Sequence, residues 1–70
     1  MMLSIDVALS ERHLEVLRLM AEGFTNRQIA ERLVIGEETV ATHIGEIIKR
    51  LSARNGKHAI ALGFRRRLIR

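Results

Sequence analysis

The chain has 70 residues, 47% hydrophobic and 29% charged, with a net charge of +4 and no Cys, Pro, Trp or Tyr. That length admits one small domain, able to bury only about 60% of its unfolded surface, and the balance is that of a globular rather than a disordered chain. Lack of Cys excludes disulfide staples and thiolate metal sites and fits a reducing cytosol; two Phe as the only aromatics leave almost nothing for bases to stack on.

Charge is unevenly spread. Residues 52–70 hold no acid and six bases, Arg54, Lys57, Arg65, Arg66, Arg67 and Arg70. The whole positive excess therefore lies in the last quarter of the chain. Two readings fit it: an anionic partner, or a solvated helix end whose Arg side chains complement the helix dipole. At the other end, MMLSIDVAL places no basic region before a long apolar run. Neither a signal peptide nor a membrane span is expected, and the expected compartment is the cytoplasm.

Taken in chain order, Ser10 is the N-cap of a first helix predicted from Glu11 to about Glu22. Leu14, Leu17 and Ala21 fall at i, i+3 and i+7 and make its apolar stripe. Gly23 supplies the left-handed residue that ends it. Thr25 followed by Gln28 reads as a capping box opening a second helix to about Leu33, with Ile29, Ala30 and Leu33 inward. Gly36 caps a third helix whose first turn holds Glu37 and Glu38, favourable beside the dipole. Its stripe is Val40, Ile44, Ile47, Ile48 and Leu51. Asn55 caps a fourth helix, about 56–67, carrying Ala59, Ile60, Leu62 and Phe64. No run alternates with period two long enough for a strand, so the fold class is all-α. Ile29, Leu33, Val40, Ile44 and Ile48 are expected to be buried together between the second and third helices.

Only Val34, Ile35 and Gly36 separate those two helices. Two short helices joined this tightly have the geometry of a DNA-binding helix-turn-helix, here about 25–51, although any small helical bundle needs short Gly-containing turns.

The stretch LSERHLEVLRLMAEGFTNRQIAERLVIGEETVATHIGEIIKRLSARN, followed by HAIALGF, resembles the LuxR-type (GerE-type) helix-turn-helix domain of bacterial transcription regulators. The likeness rests on Leu9-Ser10-x-Arg12, on Glu15-Val16-Leu17 with Ala21-x-Gly23, and on Asn26-x-x-Ile29-Ala30-x-x-Leu33. Thr39-Val40-x-Thr42-His43, Leu51 and Ala59 complete it, over residues 9–64. The resemblance implies a four-helix domain whose third helix enters the DNA major groove and whose fourth often pairs in a symmetric homodimer. It places DNA contacts at Thr25, Asn26 and Arg27, and at Glu38, Thr39, Ala41, Thr42, His43, Gly45 and Lys49. A dimer interface would hold Ala59, Ile60, Gly63, Phe64 and Arg67. Full-length members usually carry an N-terminal receiver or ligand-binding domain. This chain accordingly reads as a stand-alone member or an excised domain, and Met1 favours the first.

The chemistry at those positions is uneven. The second helix can offer N–H groups and the Arg27 cation to a phosphate. Thr39, Thr42 and Lys49 can reach backbone or base edges, and Glu38 can accept from a cytosine amino group. Opposite the core stripe of the third helix, however, lie Glu38, Ala41, Thr42, Gly45, Glu46 and Lys49. In the family the positions of Ala41 and Gly45 often hold Lys, Arg or another polar residue, and acids repel phosphate. His13 stands where a capping Glu is usual, and Gly56 where Arg is frequent. Modest affinity and relaxed sequence preference follow.

The competing reading is a protein–protein interaction module on the same frame, with weak or no DNA binding, since Ala41 and Gly45 permit close approach of another helix. Other classes have less support. His13, His43 and His58 lack metal-ligand spacing, Asn55-Gly56-Lys57 is no phosphate loop, and 70 residues leave little room for a catalytic pocket. No cofactor, metal or small-molecule substrate is expected. A membrane contact through the Arg-rich end with Phe64, Leu68 and Ile69 would be short for an interfacial helix.

Overall fold

The computed structural model describes residues 9–70. The domain was expected to span 1–70; its first eight residues, and with them most of the MMLSIDVAL segment, lie outside the described residues. Four helices follow in order: α1 (Glu11–Ala21), α2 (Asn26–Leu33), α3 (Glu37–Leu51) and α4 (Gly56–Arg65). No strand occurs among the described residues. The longest helix, α3, packs against each of the other three.

The starts are built by capping. Ser10 and Thr25 each accept a bond from the backbone three residues on, and each receives a reciprocal side chain in a capping box. Asn55 accepts from the His58 N–H at 2.8 Å. Gly36 gives α3 no side-chain cap, so the two Glu of its first turn are its local support.

The ends share one device. A left-handed residue follows each helix, and the next N–H reaches back five residues: Phe24 to Leu19, Ile35 to Ala30, Ala53 to Ile48, and Leu68 to Gly63. Gly23 meets this geometry at no steric cost, but Val34 (φ 57), Ser52 (φ 57) and Arg67 (φ 60) also adopt it. For a β-branched residue that conformation is an outlier, and Val34 offsets none of its strain by packing, being 86% exposed. Val34→Asn is therefore expected to stabilise the domain by about 1 kcal/mol, read as a higher urea midpoint at unchanged slope. An unchanged or lower midpoint would show that Val34 is not strained.

The core gathers Leu9, Val16, Leu17, Ile29, Ala30, Val40, Ile47, Leu51, Ala59, Leu62 and Ile69. Three expectations need correction. The buried face of α1 is His13, Val16 and Leu17, whereas Leu14 and Ala21 are half-buried at its edges. Of the five residues expected between α2 and α3, Ile29 and Val40 are fully buried; Leu33, Ile44 and Ile48 pack at the rim. The centre of α3 is Ile47 instead, at 0% exposure. The fourth helix ends at Arg65, and the left-handed Arg67 turns the chain back so that Ile69 is buried. A Cβ on Gly63 would lie 3.0 Å from Leu17 Cδ2 and 3.2 Å from Ile69 Cδ1. Glycine is thus what lets α4 approach α1, and Ile69 belongs to the core rather than to a membrane-facing end.

Candidate nucleic-acid interface

The short Val34–Gly36 connection and the packing of α2 on α3 fix the relation of two surfaces: the start of α2 and the outer face of α3. On α3, Glu38, Ala41, Thr42, Gly45 and Lys49 fall at i, i+3, i+4, i+7 and i+11. Helical rotation puts them on one face, and all five are exposed. Thr39 is exposed beside them. Nothing lies within 4 Å of the position a Cβ on Gly45 would take. Thr25, Asn26 and Arg27 are exposed at the start of α2. Arg27 pairs with Glu31 at 3.5 Å, with both side chains mostly in solvent, so the guanidinium can be shared with another anion at little cost.

Two residues of α3 are turned away from this face. Glu46, expected among the outward residues, reaches back to α1, where His13 Nε2 stands 2.8 Å from its Oε1. His43, expected to contact DNA, packs edge-to-face on the His13 ring at 5.7 Å between centroids. Its Nδ1 is buried and makes no hydrogen bond.

His13 organises this arrangement. It is the third residue of α1, where its Nδ1 accepts the Ser10 backbone N–H at 3.0 Å while its own N–H donates to Ser10 Oγ at 3.1 Å. A ring nitrogen thus does the work of the usual capping carboxylate. With Nδ1 an acceptor, the ring proton belongs on Nε2, which donates to Glu46. The ring is 5% exposed, and both its nitrogens are satisfied, as burial requires. One side chain therefore caps α1 and ties α1 to α3.

The Glu46 carboxyl is held below its ordinary value. The hydrogen bond with His13 is the largest cause, opposed by desolvation and reinforced by the His43 ring 3.7 Å away and then by the nearby Arg50. A carboxyl whose folded value is depressed contributes stability above its unfolded value, near 4.3, and loses it as pH falls through the folded one. Stability should thus fall more steeply with acid in the parent than in Glu46→Gln when urea midpoints are compared from neutral pH downward. Identical acid limbs would mean the pair is energetically idle.

The residues expected at a dimer face do not share a surface. Ala59 is fully buried, and Gly63 is enclosed by Leu17 and Ile69. Ile60 is half-buried, Phe64 is 47% exposed and Arg67 is exposed. Of the five expected residues, only these last three remain accessible.

A helix-turn-helix with an exposed third-helix face defines the class, and comparison with known proteins agrees. Residues 7–62 match the model of "Bacterial regulatory proteins, luxR family". The chain belongs to that family, whose members are helix-turn-helix regulators of transcription and not enzymes. Among its relatives are the transcriptional regulatory protein LiaR of Bacillus subtilis, 40% identical over 62 residues, and the uncharacterized transcriptional regulatory protein YxjL of the same species, 37% identical over 60. The response regulator protein VraR of Staphylococcus aureus is 36% identical over 61 residues. These alignments cover 86–89% of this chain but only 28–29% of each relative. The chain spans under a third of the length of the curated relatives it matches.

Proposed function

We propose that this domain binds double-stranded DNA with α3 in the major groove and α2 against the flanking backbone, and thereby regulates transcription. The observation that carries the reading is the coincidence of two features. The family is one of transcription regulators, and the face of α3 that its members present to DNA is here exposed as a continuous strip from Glu38 to Lys49. Thr42 and Lys49 supply the hydrogen bonds and charge of that strip, while Thr25, Asn26 and Arg27 supply a phosphate contact at the start of α2. Glu38 repels phosphate and is usable only opposite a cytosine amino group. Glu46 does less harm than its position on the helix suggests, because His13 holds its carboxylate toward α1. A cytoplasmic location accompanies this role; no described helix is long and apolar enough to cross a membrane.

The test is fluorescence anisotropy with a duplex carrying two half-sites about one helical turn apart, read at two salt concentrations. Binding that weakens steeply with salt, through counterion release, supports the reading. Absence of appreciable duplex binding even at low salt would favour docking of another protein's helix on the Ala41 and Gly45 strip.

The active species is a homodimer paired through the exposed part of α4, with Ile60 and Phe64 at i, i+4 as its apolar contacts and Arg67 at the rim. An isologous contact doubles every phosphate contact and sets the half-site spacing. Ile60→Glu would place an unpaired charge in that contact and is expected to give a monomer in sedimentation equilibrium. A parent chain that is itself monomeric at high micromolar concentration would remove the dimer from the account.

A further inference from the structure

Folding brings His13 of α1 against a pair of α3 residues far from it in sequence, His43 and Glu46. One ligand atom from each lies within 4.8 Å of the others. Glu46 Oε1 is 2.8 Å from His13 Nε2 and 3.7 Å from His43 Nδ1. His43 and Glu46 are at i, i+3, the spacing that puts two side chains on one helix face. We propose that these three atoms form a binding site for a divalent transition-metal ion, zinc being the best match to two imidazoles and a carboxylate, with water completing the tetrahedron.

Two observations carry this beyond proximity. His43 Nδ1 is buried without a hydrogen-bond partner, which is costly for a polar atom and is relieved by a metal. His13 also has an orienting contact ready on its far nitrogen, since Ser10 Oγ is 3.0 Å from Nδ1. Ligating His residues are ordinarily fixed in this way by a partner on the other ring nitrogen.

Protons balance as follows. On binding, the Nε2 proton of His13 is lost from that atom and Nδ1 takes one up, donating it to Ser10 Oγ. The Ser10 N–H gives up its bond to Nδ1. Glu46 binds as its carboxylate, and His43 through the Nδ1 lone pair with its own ring proton on Nε2. Tetrahedral zinc–ligand bonds of about 2.0–2.1 Å set the ligands about 3.3 Å apart. The widest separation, at most 4.8 Å and lying between the two imidazoles, must close by roughly 1.5 Å, which requires rotation of the His43 side chain toward His13. The ion would replace the His13–Glu46 hydrogen bond between α1 and α3 with coordinate bonds.

Titration of the metal-stripped chain with zinc chloride, without DNA, tests this by isothermal calorimetry and by thermal melting. One equivalent is expected to bind in the low micromolar range or tighter, on the order of a few kcal/mol beyond millimolar binding, and to raise the melting temperature by linkage. His13→Gln keeps a capping-box side chain and removes the Nε2 ligand; Glu46→Gln removes the carboxylate. Each should weaken binding at least about tenfold, since even loss of an orienting partner costs 10–100-fold, whereas His58→Gln should change nothing. In the unmutated chain, the ring resonances of His13 and His43, and not of His58, should shift on zinc addition, which decides the matter even if a variant folds poorly. Binding no tighter than millimolar, or unshifted His13 and His43 rings, overturns the proposal. Because no DNA is present, its failure leaves the DNA-binding reading untouched.

Discussion

Ile47→Ala is expected to leave little folded protein at room temperature. Ile47 is fully buried at the centre of α3, the helix that all the others pack against. Truncating such a residue to Ala costs about 2–5 kcal/mol, the lost transfer energy plus the cavity. A domain of this size has a total stability of about 4–10 kcal/mol at 0.05–0.15 kcal/mol per residue, so the loss is of the same order as the whole. Ile44→Ala removes the same atoms at the half-buried rim and should cost distinctly less, because solvent already fills part of the space. Thermal unfolding followed by circular dichroism separates the two. If Ile47→Ala melts within a few degrees of the parent, or Ile44→Ala melts lower, the packing of α3 is misassigned.

Ala41→Lys is expected to strengthen DNA binding by about 1 kcal/mol and to steepen its salt dependence. Ala41 is exposed in the middle of the α3 strip, between Glu38 and Gly45, and contributes no donor. A lysine there neutralises one more phosphate, so the slope of log K against log salt should become more negative by about 0.9. Thr42→Ala and Lys49→Ala should act in the opposite direction, Lys49→Ala with a shallower slope. An unchanged affinity and slope for Ala41→Lys would mean that this strip does not face a phosphate backbone.

How much of this was legible in the sequence follows from the range of each interaction. Capping is local, and the Ser10 and Thr25 starts stand where the sequence puts them. Helix ends are less legible. Gly23 announces a left-handed residue, but Val34, Ser52 and Arg67 reach the same geometry against their own preference, each followed by an N–H that reaches back five residues to close the helix end. Arg67 shows the consequence: the helix was expected to run through it, whereas the chain turns there and buries Ile69. Periodicity found the apolar side of each helix but not its deepest residue. On α1 the stripe through Leu14 and Leu17 is one step round from the true face through His13, Val16 and Leu17.

The candidate site divides along the same line. Exposure of Glu38, Ala41, Thr42, Gly45 and Lys49 follows from helical rotation alone, and the structure agrees. Glu46 and His43 do not follow that rule, because a partner 33 residues from Glu46 in sequence, His13, draws the Glu46 carboxylate toward α1 and receives His43 against its ring. The one available signal was His13 itself, a histidine at a capping position followed by an apolar helix. Ala59 and Gly63 were assigned to a partner's surface, yet their small size serves the contact of α4 with α1 inside one molecule.

The claim that α3 reads DNA through its outer face is tested most directly by amide chemical-shift mapping of the labelled chain as a two-half-site duplex is added at low salt. Shifts are expected to concentrate at Glu38, Thr39, Ala41, Thr42, Gly45 and Lys49, with a second group at Thr25, Asn26 and Arg27. Shifts confined to the basic residues after Asn55, with α3 unmoved, would contradict the account and leave only a charged tail touching phosphate.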